Sequence, residues 1–186
     1  MHEPAPSRRR ARVRAAASVV LVAVAGAVFT LAPEHAVAKG KAVPVCELVT
    51  TAELTSVFAT DFASGEAAII GTGRTCGYTG TGTGPVRYVT VRIATGTQAR
   101  VGFRRTMKAL RETLRGIDSP PPAPIADLGD RAYFSFDEFL GEASLEVLDG
   151  RRYVQVTASL TTNDGDRSVV AESVLRALAV DVLDRA

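Results

Sequence analysis

Two cysteines, two histidines and one regular run of basic side chains are the residues of this 186-residue chain best suited by type and spacing to do chemistry. Both histidines, His2 and His35, stand in the N-terminal segment. Residues 1–14 there carry Arg8, Arg9, Arg10, Arg12 and Arg14, residues 15–33 are uncharged and mostly Ala and Val, and Ala36-Val37-Ala38 follows. A basic start, an apolar stretch and small residues at the two positions a signal peptidase reads describe a secretory signal peptide, cleaved after residue 38. The competing reading is a retained anchor, because the apolar stretch comes close to the length that spans a bilayer. "SRRRAR" suits general export and twin-arginine export alike.

Cleavage decides which chemistry remains. The mature chain has no histidine, so a cysteine or serine nucleophile lacks its usual base, and no G-x-S-x-G is present. Serine–lysine chemistry has only Lys39, Lys41 and Lys108 to draw on, none in an S-x-x-K. Two cysteines without histidine do not complete a zinc site. Cys46 follows Val43-Pro44-Val45 and not a small-residue lipobox, which argues against a lipid anchor. An exported protein with two cysteines pairs them, so Cys46 and Cys76 are expected to form a disulfide. Closing that loop contributes about 3–4 kcal/mol in the chain-entropy model.

The basic run is Arg100, Arg104, Lys108, Arg111 and Arg115, at spacings of four, four, three and four, with Arg105 beside it and Glu112 in partial offset. On a helix these residues form one stripe. Such a stripe binds anionic lipid headgroups or wall polyanions, or it is the water-facing side of a packed helix. Carboxylates cluster at Asp137, Glu138 and Glu142, in a segment that reads as a strand-to-strand connection where acidic residues serve solubility. Paired carboxylates are also the groups of a histidine-free acid–base enzyme. Asp164-Gly165-Asp166 reads as a helix-capping turn, since the further ligands of a calcium loop are missing. The glycine-rich run 71–85 has neither P-loop nor dinucleotide-binding spacing and reads as a flexible hairpin loop.

Charge narrows the partners. The full chain has 22 basic and 20 acidic residues; removal of residues 1–38 leaves 17 against 18, a net charge of −1. A nearly neutral domain gives no general case for nucleic-acid binding. No cofactor or metal is implied.

These residues need elements to hold them. After a flexible leader over 39–45, Thr50 and Glu53 form a capping box for a short helix whose buried face is Leu54, Val57 and Phe58. "EAAIIG" and "RTCGYTG" read as short strands, and in "VRYVTVRIAT" Val89, Val91 and Ile93 alternate with Tyr88, Thr90 and Arg92. A helix over about 98–115 carries Phe103, Met107, Leu110 and Leu114 on its apolar side. The proline-rich stretch 116–130 interrupts regular structure. Three strands follow, the last two joined at Asp149-Gly150. A closing helix over about 167–183 has Val170, Val174, Leu175, Leu178 and Val182 inward. The expectation is a single α+β domain over 46–186: an antiparallel sheet, helices on one face, and a two-fold pseudo-repeat of strands followed by a helix.

"CELVTTAEL", "CGYTG", "ADLGDRAYF" and "LEVLDGRRYVQVTA" together resemble a family of exported actinobacterial proteins of unknown function, often lipid-anchored. That family opens with C-x-L-[LV]-T-x-x-E, places a second cysteine beside an aromatic residue, and has a GLGDxAY-like turn before a hairpin. The extracellular sensor domains of mycobacterial serine/threonine kinases are a more distant comparison. The resemblance implies an extracellular location and an α+β fold, and brings no catalytic residues. The functional expectation is a secreted, non-catalytic cell-envelope binding protein whose partner is a protein, a lipid or a wall polymer. The alternatives are a carboxylate-dependent extracellular enzyme and a structural envelope protein. The exported protein should begin at or near Lys39 without lipid; an intact mass that retains residues 1–38, or adds diacylglycerol at Cys46, contradicts this.

Overall fold

Alternation of side chains along the strands sets this architecture. A computed structural model describes residues 43–71, 73–117, 119–162 and 166–186. The expected signal peptide 1–38, the expected leader up to residue 42 and Asp164-Gly165 lie outside the described residues. The strands are β1 (Asp61–Phe62), β2 (Glu66–Ile70), β3 (Gly73–Thr81), β4 (Val86–Thr95), β5 (Ala123–Ile125), β6 (Arg131–Asp137), β7 (Glu142–Asp149) and β8 (Arg152–Leu160). The helices are α1 (Thr51–Phe58), α2 (Thr97–Gly116) and α3 (Glu172–Arg185). All strand pairs are antiparallel, in the order β1-β3-β4-β8-β7-β6-β5, with β2 also on β3. The expected α+β class, antiparallel sheet and disulfide are all present.

The central pair is β4 with β8. Val89, Val91 and Ile93 stand opposite Ala158, Val156 and Val154, while Arg92 and Ala94 stand opposite Gln155 and Tyr153. Because successive side chains point to opposite faces, the first set makes an apolar face and the second a polar one. The apolar face continues through Ala143, Leu145 and Val147 of β7 and packs against Leu54, Phe58, Leu175, Leu178, Ala179 and Val182 of α1 and α3. On the other face, Phe103 and Met107 of α2 pack with Tyr153, Leu148, Ala94 and Tyr133.

Sequence leads to the expectation of helices on one face; instead α1 and α3 cover the apolar side and α2 the polar side. The pseudo-repeat survives only in strand order, where β3-β4 and β7-β8 meet symmetrically at the centre. A two-fold axis normal to the sheet would put α2 and α3 on the same face, and their opposite placement breaks it. Other expectations shift locally. Val57 is exposed while Leu54 and Phe58 are fully buried. The glycine-rich run is mostly β3 and not a flexible loop, and within it Gly77 makes room for the Tyr88 hydroxyl, which a Cβ there would meet. The proline stretch contains edge strand β5, where Pro124 is tolerated. Residues Arg167–Val170 are a 3-10 turn capped by Asp166, and α3 starts only at Glu172. The β7–β8 loop is Gly150-Arg151, since Asp149 pairs with Arg152, and Gly150 supplies its φ of +56°.

The disulfide pins the N-terminal segment to β3. Cys46 and Cys76 bond with a Cα–Cα distance of 5.2 Å, and the Tyr78 hydroxyl donates to the Val49 carbonyl at 2.7 Å. Val45, placed by sequence in the flexible leader, is buried beside them. The Thr50–Glu53 capping box forms as expected. Glu53 also meets Arg185 at 2.6 Å, and that guanidinium donates to the Leu48 carbonyl at 3.0 Å, so the last turn of α3 clamps α1. Cys76→Ser should lower stability by about 2–5 kcal/mol, read from the urea midpoint; an unchanged midpoint contradicts the pinning role.

Candidate functional site

The polar face of the sheet holds a buried carboxylate that the sequence reading passed over. Glu146 of β7 is 1% exposed. Tyr153 Oη donates to its Oε2 at 2.6 Å, and Ser144 Oγ and Gln155 Nε2 donate to its Oε1 at 2.7 and 2.9 Å. Burial pushes its pKa above the ordinary carboxylate range, against the lowering effect of those three donors and of Arg92. The Tyr153 hydroxyl is also raised, chiefly by burial and then by the Glu146 charge, and Thr106 of α2 bonds to it. Phe103 stacks edge-on over Tyr153, with centroids 5.8 Å apart. The layer thus joins α2 to the sheet by hydrogen bonds and aromatic contact.

That seating turns the basic stripe in a definite direction. At about 100° per residue, Arg100, Arg104, Lys108, Arg111 and Arg115 span roughly 80° of the helix surface, beside the buried stripe of Phe103, Met107 and Leu114. They do not form the outward crest, where Arg105 stands. The stripe faces Arg131 of β6 across two hollows, the second of which Tyr133 also lines, and runs on into a third. Arg100, Phe103, Arg104, Arg131, Asp130 and Leu148 line one of about 670 Å³. Arg104, Met107, Lys108, Arg111, Arg115 and Glu112, together with Phe103, Arg131 and Tyr133, line the next, of about 310 Å³. Arg111 and Arg115 continue into a third of about 340 Å³ with Leu114, Ser119 and Pro121. Arg111 lies over the Tyr133 ring at 5.8 Å. Among the described residues the stripe has one ion pair, Lys108 with Glu112 at 3.8 Å; Arg100, Arg104, Arg115 and Arg131 have no carboxylate within ion-pair distance.

The carboxylate cluster read from sequence is divided by the fold. Asp137 and Glu142 are register partners on the polar face, lining with Glu146 a hollow of about 240 Å³ under α2. Asp137 accepts from the amides of Phe139 and Leu140 at 2.9 and 3.0 Å and so caps the β6–β7 turn. Glu142 accepts from Ser159 at 3.1 Å, and burial leads the causes that raise its pKa. Glu138 turns away and pairs with Arg167 at 2.8 Å, whose guanidinium lies over Phe136 at 4.8 Å. That pair borders an apolar cleft of about 530 Å³ walled by Pro121, Ala123, Phe134, Phe136 and Val170. Among the described residues no group of three or more His, Cys, Asp or Glu is placed to hold a metal ion.

The structure thus brings all five predicted basic residues to one trench, and joins Cys46 to Cys76 on the opposite side of the sheet. Arg131 and Tyr133, on the trench's far wall, were missed because their strand reads only as an alternating one. Compared with family models, curated proteins and solved structures, the chain matches none of them.

Glu146→Ala should destabilise by about 3 kcal/mol, because it removes the acceptor of Tyr153, Ser144 and the half-buried Gln155 and leaves a cavity. Its pH signature is distinctive. A raised folded-state pKa means that the folded protein binds the proton more tightly than the unfolded chain. The residue's contribution is therefore greatest at low pH and declines as pH rises through the folded pKa. Denaturant titrations of wild type and variant across pH 4–8 should show their difference shrinking as pH rises; a constant difference contradicts the assignment.

Proposed function

We propose that this protein is an exported, non-catalytic binding protein of the cell envelope, and that the α2–β6 trench is where it takes anionic groups. The reading is carried by one observation: six basic side chains, Arg100, Arg104, Lys108, Arg111, Arg115 and Arg131, line adjoining hollows in which, among the described residues, Asp130 and Glu112 are the acidic members. Among the described residues Glu112 pairs with Lys108, Asp130 accepts from the Gly150 amide, and Arg100, Arg104, Arg111, Arg115 and Arg131 are in no ion pair. Guanidinium groups bind carboxylates and phosphates through paired parallel donors, so phosphate- or carboxylate-bearing envelope components are the fitting ligand chemistry. The N-terminal signal-like segment supports export. A binding role over catalysis draws support from the carboxylates, because Asp137 and Glu146 are already engaged in capping and core hydrogen bonds.

The test is association of the mature protein with inorganic polyphosphate and with vesicles rich in phosphatidylglycerol. At least one should bind at low salt and release as salt rises, because screening shortens the reach of exposed charges to about 8 Å at physiological ionic strength. Each basic residue near such a surface is worth about 1 kcal/mol, so Arg104→Glu with Arg111→Glu should nearly abolish binding while leaving the fold intact. Absence of association with both probes at low salt refutes the reading.

A further inference from the structure

Resting on that reading, we infer that the trench takes a linear polyanion laid along it, and not the plane of an anionic membrane. The three hollows are arranged in series: the first two share Phe103, Arg104 and Arg131, and the last two share Arg111 and Arg115. From Arg100 to Arg115 the helix rises about 22 Å. A chain lying in this trench meets charge from both sides, from α2 and from Arg131 of β6. A flat headgroup surface would meet the crest of α2 first, where Arg105 and Glu112 stand and where Lys108 is the one member of the stripe nearby.

The apolar residues point the same way. Helices that lie in a bilayer interface present large apolar side chains outward, where they enter the acyl boundary. Beneath this basic stripe Phe103 and Met107 are each 4% exposed, sunk in contact with Tyr153 and Tyr133. The most exposed large apolar side chains are elsewhere, Ile69 on β2 at 83% and Phe139 in the β6–β7 turn at 73%. The half-buried Tyr133 ring, already under Arg111, gives the trench an aromatic floor at mid-length. A flexible chain with anionic groups at short intervals can satisfy successive arginines over that floor, and each contact releases counterions as it forms.

The experiment uses the mature protein, inorganic polyphosphate of graded length and phosphatidylglycerol vesicles. Affinity should rise with polyphosphate length until the chain spans the trench and then level off per site, and long polyphosphate should displace the protein from vesicles. Arg131→Glu, across the trench from the helix, should weaken polyphosphate binding at least about tenfold, and Arg131→Ala should lower the salt slope by about 0.7. Arg105→Glu, on the crest, should change affinity less than about threefold. Circular dichroism of each variant confirms that the fold is kept. Equal sensitivity to Arg105→Glu and Arg131→Glu, or vesicle binding without polyphosphate binding, overturns the trench ligand while leaving an anion-binding face in place. Loss of both kinds of binding in the wild type overturns this inference and the proposed function together.

Discussion

The register between β4 and β8 is the constraint on which the rest of the molecule depends. Strand side chains alternate, so the one alignment that buries Val89, Val91 and Ile93 against Ala158, Val156 and Val154 also commits Arg92, Tyr153 and Gln155 to the other face. A slip of one residue would exchange the faces completely. Neighbouring β7 follows suit and delivers Glu146 into the middle of that polar layer. A carboxylate there is unfavourable unless its oxygens are engaged, and Tyr153, Ser144 and Gln155 engage them. The layer then needs a cover with apolar and aromatic contact, which α2 supplies through Phe103 and Met107. Once that stripe is seated, helical geometry leaves no freedom in where Arg104 and Arg111 point. The trench follows from strand register through one helix.

The apolar face is held at its periphery by different chemistry. The disulfide, the Tyr78–Val49 hydrogen bond and the Glu53–Arg185 pair all tie the N-terminal segment and α1 to the sheet and to α3. The Arg185 guanidinium leads the causes that hold the Glu53 carboxyl down to about 2. A depressed carboxylate pKa contributes stability above the unfolded value near 4.5, lost as pH falls toward 2. Both side chains are about a third or more exposed, so screening reduces the effect to that of a surface pair. Glu146 has the opposite sign, since acid relieves its burial. Acidification to about pH 4 therefore relaxes the interior carboxylate before it undoes the peripheral clamp.

What could be read from the sequence was what depends on local pattern. The Thr50–Glu53 cap, the alternation of Val89, Val91 and Ile93, and the stripe of Phe103, Met107 and Leu114, with the expected Leu110 only half-buried, are encoded within a few residues and are present in the fold. The disulfide was legible because compartment and cysteine number leave one pairing. The assignment of helices to faces was not, because α2 carries the same period whether it covers valines or a polar layer. Nor was Glu146. In "ASLEVLD" it reads as the solvent-facing partner of Leu145 and Val147, and only a helix arriving from residues 97–116 makes it interior. Arg131 escaped notice for the same reason, since its proximity to the stripe is created by the sheet edge.

On the proposed reading, the basic flank of α2 carries an electrostatic cost that a bound anion would offset. Like charges four residues apart weaken a helix by a few tenths of a kcal/mol per pair, and Arg100–Arg104, Arg104–Lys108 and Arg111–Arg115 are three such pairs. Arg115 near the C-terminus complements the helix dipole, whereas Arg100 lies close to its positive end, and no acidic residue occupies the first turn. Interspersed charges of both signs would keep the helix soluble without this repulsion. Only Lys108 and Glu112 follow that arrangement here. The remaining cations line the same hollows as Arg131, where their charges repel one another. Phosphates or carboxylates placed between them would turn that repulsion into attraction, so the binding of an anionic chain and the relief of α2 are the same electrostatic event.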